Sequence, residues 1–129
     1  MDLTTPPSGR TYTALPIDPT KGFPQSFSFT FNTVNYLFTL YVDIEAKLLA
    51  NWTDDFLSLP GQSAFLVARV DTTATDGSLD TVFLRKIVPE LEYEIGNIAL
   101  YFPQQTISPQ NLNGQGEFGS IVAGGIALR

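Results

Sequence analysis

A chain of 129 residues with 43% hydrophobic side chains is long enough for a single core and too apolar for a disordered polymer. The formal charge of −6, with Arg85-Lys86 the one adjacent pair among seven bases, argues against a phosphate-binding surface. The absence of both Cys and His removes disulfides, Ser-His-Asp and Cys-His catalysis and the usual zinc ligands.

Ten Phe and five Tyr against one Trp and one Met favour strands over a helical bundle. Met1 to Pro16 has neither a basic n-region nor an apolar h-region, so no secretory signal is expected, and no apolar run approaches the ~18 residues of a membrane span. Residues 1–10 are read as an N-terminal arm on a single β domain covering 1–129. Arg10 to Ile17 is expected to form a short strand with Tyr12, Ala14 and Leu15 inward. Pro16, Pro19, Gly22 and Pro24 mark turns.

The strongest signal follows. Phe27, Phe29 and Phe31 alternate with Ser26, Ser28 and Thr30, and the alternation resumes with Tyr36, Phe38, Leu40, Val42 and Ile44. Period two sends successive side chains to opposite sheet faces, so Ser26 to Ile44 reads as a β-hairpin. A loop of about four residues centred between Thr33 and Val34 sets Phe31 opposite Tyr36, Phe29 opposite Phe38 and Phe27 opposite Leu40. Asn32 and Asn35 would then supply the positive φ values. One face is wholly apolar; the other carries Ser28, Thr30, Leu37, Thr39 and Tyr41.

Glu45 to Phe56 reads as a connector whose Trp52 lids one end of the core, and Leu57 to Gly61 as a turn. Ala64 to Val70 is a strand with both faces partly buried. Asp71 to Asp80 is a polar loop with a tight turn at Asp76-Gly77. Thr81 to Val88 is a strand ended by Pro89, and Glu90 to Ile95 is extended. Asn97 to Phe102 is a strand, and Pro103 to Gly116 is the longest polar loop, of the kind that binds partners or moves. In Glu117 to Leu128, glycines divide a short strand, a kink and a last strand.

Chemistry is sparse. Asp71, Asp76 and Asp80 lack the ligand order of a calcium loop and read as turn formers. Asp54-Asp55 and Glu90/Glu92/Glu94 read as solvated acidic faces, since nothing places a carboxylate pair in a cleft. Trp52, Tyr41 and Tyr101 could together make a sugar-binding platform. The apolar residues on the outer hairpin face and the Gly-rich apolar tail suit assembly, with Leu37, Tyr41, Phe118, Ile121, Gly124 and Gly125 as contacts.

The order of features resembles a known family. A Pro-containing lead-in precedes S-F-T-F-N-T-V-N-Y-L-F-T-L; a strand ending at Asp71 is followed by the Asp76-Gly77 turn, V-P-E-L, G-N-I-A-L-Y-F, a polar loop and F-G-S-I-V-A-G-G-I-A-L. Over about Ala14 to Leu128 this is similar to the small baseplate plug proteins of contractile-tailed bacteriophages. The hairpin has Asn32-Thr33-Val34-Asn35 where that family has a Gly-containing turn. The resemblance implies a virion protein of the tail baseplate, made in the host cytoplasm and not secreted. It would pack as a homo-oligomer against hub, spike and tube proteins and close the tube lumen before ejection.

The expectation is therefore an all-β fold, a small barrel or two-layer sandwich of seven or eight mostly antiparallel strands with little or no helix. Its role is structural rather than enzymatic, with no catalytic residue, cofactor or metal, and no nucleic-acid or membrane surface. The alternative is a non-catalytic carbohydrate- or receptor-binding β module.

Overall fold

The computed structural model describes residues 6–44, 57–60, 64–74, 76–112 and 115–129. Trp52 and Asp54-Asp55 lie outside the described residues, as does the connector expected between Glu45 and Phe56. Among the described residues the regular elements are strands, with one-turn 3₁₀ segments at Pro19–Lys21 and Pro109–Leu112. The strands are β1 (Thr13–Ala14), β2 (Gln25–Phe31), β3 (Val34–Ile44), β4 (Leu57–Ser58), β5 (Ala64–Thr73), β6 (Leu79–Ile87), β7 (Glu92–Ile95), β8 (Ile98–Ile107) and β9 (Ile121–Leu128).

They form two antiparallel sheets that do not close into a barrel, so the fold is the sandwich of the two expected. One sheet runs β2-β3-β5-β6. The other runs β1-β9-β8, with β4 and β7 both paired to β8. Phe38, Leu40, Leu66, Val70 and Ile87 from the first sheet share one core with Leu100, Phe102, Ile107, Val122 and Ile126 from the second. Leu15 and Ile17 fill in beside them. Leu15, just after β1, turns inward as expected, whereas Ala14 within it is exposed and Tyr12 is half-buried.

The β2–β3 hairpin keeps its apolar face but not its expected register. Phe31 pairs with Val34, Phe29 with Tyr36 and Phe27 with Phe38, two residues away from the expected pairing. A shift of two preserves the faces, so the alternation cannot distinguish the registers. The turn decides. Asn32 and Thr33 both have positive φ, 49° and 68°, the signature of a two-residue type I′ turn, whereas Asn35 lies inside β3. A β-branched residue is costly in that conformation. Thr33→Gly is expected to stabilise the fold by about 1 kcal/mol, read as a higher urea midpoint. A lower midpoint would count against the turn.

β5 extends past its expected end to Thr73, so Asp71 and Asp80 lie in strands rather than a loop. The expected turn at Asp76-Gly77 is present, with Gly77 at positive φ and the Ala74 amide donating to the Ser78 carbonyl. β8 also runs on, through Pro103 to Ile107. A register shift between Tyr101 and Gln104 accommodates the proline, because a bulge is where a strand tolerates a missing donor. The polar loop thus starts later than expected and is fastened down. Asn111, fully buried, donates to the Gly116 carbonyl and accepts from the Ser120 hydroxyl, and its own carbonyl accepts from the Phe23 amide.

Candidate functional site

The surface offers three features with chemical consequence. The first is a seam between the two sheets, where β6 and β7 are both edge strands. The ring of Phe83 meets that of Tyr93 edge-on at 5.5 Å, closing the floor. Above it lies an open groove of about 430 Å³ lined by Val82, Leu84, Arg85, Leu91, Glu94 and their neighbours. Leu79, Val82, Leu84 and Leu91 are exposed, with Leu84 at 53%. Val82 is turned out because β6 bulges there. Val70 pairs with Phe83 and Asp71 with Thr81, leaving Val82 without a partner residue. The next cation, Lys86, stands over the Phe65 ring at 4.9 Å from its centroid, on the outer face.

The second feature is polar. Residues 8–12 strap across the outer face of the β7–β8–β9 sheet and converge on Glu92. Its carboxylate accepts from the Ser8 amide and hydroxyl, from Arg10 at 3.2 Å and from the Tyr12 hydroxyl at 2.8 Å. Tyr12 then packs on Tyr101, centroids 5.5 Å apart. Arg10 reaches Glu94, which also pairs with Arg129 at 2.6 Å. The Glu92 side chain is only 10% exposed. Burial alone would push its carboxyl up; the hydrogen bonds from Ser8, Tyr12 and Arg10 outweigh that and hold it below its ordinary value of 4.5. Burial, reinforced by the neighbouring carboxylate, pushes the Tyr12 phenol up.

This is a structural clasp with a pH dependence. A carboxylate depressed in the folded state contributes fully above its ordinary value, and the contribution drains as pH falls through the depressed one. The arm is expected to stay docked at neutral pH and to loosen only once the pH falls below the ordinary carboxylate value and through the depressed one. Amide NMR signals of Gly9 and Arg10 would report it, with Glu92→Gln loosening the arm at neutral pH. An arm whose signals do not change with acid, or that Glu92→Gln leaves fully docked at neutral pH, would refute the clasp.

The third feature is the outer face of the β2-β3-β5-β6 sheet. There Asp71, 2% exposed, accepts from the Thr81 hydroxyl at 2.6 Å and pairs with Arg69 at 3.2 Å. Asp76 accepts from the Ser78 amide and hydroxyl, which holds its carboxyl below the usual range. Among the described residues no group of three acids is placed to hold a metal ion.

The expected contacts scatter. Leu37 and Tyr41 are half-buried on the outer face of β3. Phe118 and Ile121 are exposed before and at the start of β9. Gly124 and Gly125 are buried inside the chain's own fold, so they are corrected from surface contacts to packing positions. A Cβ on Gly124 would lie 2.5 Å from Phe102 Cε1 and 3.2 Å from Ile17 Cδ1. Gly125 is paired with Ala14 on one side and Tyr101 on the other. Tyr101 is buried too, so it cannot belong to an exposed aromatic platform. The seam residues Val82, Leu84 and Leu91 went unrecognised because a strand with two apolar faces looks like core until its edge position is known.

Compared with known protein families, curated proteins and solved structures, the chain matches none of them. Among the described residues no helix is long and apolar enough to cross a membrane.

Proposed function

We propose that this chain is a structural assembly protein, and that its setting is the baseplate of a contractile phage tail. There it packs in several copies against hub, spike or tube proteins and helps close the tube lumen before ejection. The observation that carries the assembly reading is the β6–β7 seam. Val82, Leu84 and Leu91 are exposed and line its open groove, and Leu79 is exposed at the start of the same β6 strand. Contiguous exposed apolar side chains mark surfaces that meet other proteins. The resemblance of the hairpin, the Asp76-Gly77 turn and the closing apolar strand supplies the phage setting.

No covalent chemistry is needed. Apolar packing at the seam and strand pairing at sheet edges would hold the chain in place until contraction shears them. Antibody labelling of particles made with the chain present tests this reading: label at the tail end distal to the head is expected. Particles free of the chain, together with glycan binding by the isolated protein that is lost in Trp52→Ala, would favour the ligand-binding module instead.

A further inference from the structure

We infer that β2 is a self-pairing edge, through which two copies of this chain join their β2-β3-β5-β6 sheets into one continuous sheet about a two-fold axis at Ser28. The inference deepens the assembly reading and rests on it for its biological setting, but it concerns a different surface from the seam.

The two edges of that sheet are not alike. β6 is guarded in the ways that sheet edges are usually protected from pairing. It has a bulge at Val82, the adjacent cations Arg85 and Lys86, and the Tyr93 hydroxyl over the Lys86 carbonyl. β2 has none of these. Gln25–Phe31 carries no charged residue and no proline, in a chain of net charge −6. Its seven residues pair with β3 without a register shift.

The two-residue turn fixes which backbone groups are free. Phe31 and Val34 flank it, so they form the hydrogen-bonded pair that closes the hairpin. Counting back by two, Phe29 and Phe27 also turn their amides and carbonyls toward β3. Those of Ser26, Ser28 and Thr30 therefore point out of the sheet. No other strand pairs with β2 among the described residues. The side chains of these three residues are all exposed on the outer face.

A second β2 laid antiparallel answers this edge with its own pattern. With Ser28 opposite Ser28 of the second copy, Ser26 falls opposite Thr30 and Thr30 opposite Ser26. Every outward backbone group then finds an outward partner, in three pairs exchanging two hydrogen bonds each. On the inner face Phe27 falls opposite Phe29, so half-buried rings meet rings; on the outer face hydroxyls meet hydroxyls. A slip of one residue would set rings against hydroxyls and turn the backbone groups out of phase. A slip of two would lose one of the three pairs. The edge is self-complementary in one register, which a two-fold contact requires.

The test uses the full chain, which contains no cysteine of its own. Sedimentation is expected to show a concentration-dependent dimer. Ser28→Cys protein should be joined to dimer by a short bis-maleimide, because directly paired residues lie about 5.5 Å apart at Cα. Leu84→Cys protein on the guarded edge should not. Ser28→Lys, which sets two ammonium groups face to face, should raise the dimerisation midpoint at least about tenfold. Its thermal melt under monomeric conditions should match wild type, since Ser28 is exposed. Ser28→Thr should dimerise normally. A wild-type chain that stays monomeric at millimolar concentration overturns the inference. So does an oligomer that Ser28→Lys leaves intact, or one joined through Leu84→Cys and not through Ser28→Cys. These results leave particle labelling untouched, so failure of the edge and failure of the assembly reading are separable.

Discussion

Gly124→Val is expected to destabilise the isolated chain by at least about 3 kcal/mol, enough to leave much of it unfolded at physiological temperature. Gly124 sits in β9 opposite the bulge of β8, where Tyr101 pairs with Gly125 and Gln104 with Ala123. At the bulge Phe102 and Pro103 together stand opposite the single residue Gly124, and the Phe102 ring fills the space above it. Phe102 is fully buried, with Ile17 on the same side of the glycine. Neither can retreat without vacating part of the core. Gly124→Ala should cost less, about 1–3 kcal/mol, because it adds one carbon.

The collision predicts coupling. Phe102→Leu alone removes ring volume and opens a cavity, yet in a Gly124→Ala background the smaller side chain makes room. The double variant should therefore be more stable than the sum of the two losses by about 1–3 kcal/mol in urea titrations. Additive losses would mean that the ring and the glycine do not compete for one space. A Gly124→Val chain with a wild-type melt and impaired assembly would restore the glycine to a surface role.

How far these features are legible in the sequence depends on the distance over which they are determined. The faces of β2 and β3 follow from alternation alone and stand as read. Their register depends on whether a Thr accepts positive φ, which a local preference rule disfavours and the twist of the hairpin imposes. Pro103 looked like the end of a strand; it lies within one because a bulge absorbs it. Asp71 reads as a loop residue, but in the fold Thr81 reaches it from β6 and Arg69 from two positions back on its own strand.

The least legible parts are the most consequential. Glu92 is clasped by Ser8, Arg10 and Tyr12, all more than seventy positions away in the chain, and no periodicity couples those segments. Gly124 signals flexibility or close approach in any sequence; only the fold says that the approaching group is Phe102. The proposed assembly role follows from the sequence only as a tendency, from an apolar-rich β chain that carries neither His nor Cys. Its place does not. Leu84 and Val82 look like core until β6 is known to be an edge strand.

Phe38→Ala is expected to cost about 3–5 kcal/mol, the range for deleting a buried ring that cannot be replaced by collapse. Phe38 has no exposed surface and lies where the hairpin meets the opposing sheet. Its ring stacks on Phe27 of β2, centroids 5.2 Å apart and planes 15° from parallel, and meets Tyr36 at 6.3 Å. Phe27 is the cross-strand partner of Phe38 in the two-residue-turn register, but would face Leu40 in the four-residue alternative. The pair therefore tests register as well as packing. Phe27→Ala should cost less than Phe38→Ala, because its ring is half-exposed at the edge. The double variant should recover about 0.5–1.5 kcal/mol of coupling relative to the sum, as stacked aromatic neighbours do. The corresponding cycle between Phe27 and Leu40 should show weaker coupling, since Gln25 is the residue across from Leu40. Strong Phe27–Leu40 coupling and none between Phe27 and Phe38 would place the turn between Thr33 and Val34. A shift of two keeps the parity of β2, so Ser28 would turn its backbone groups outward in either register.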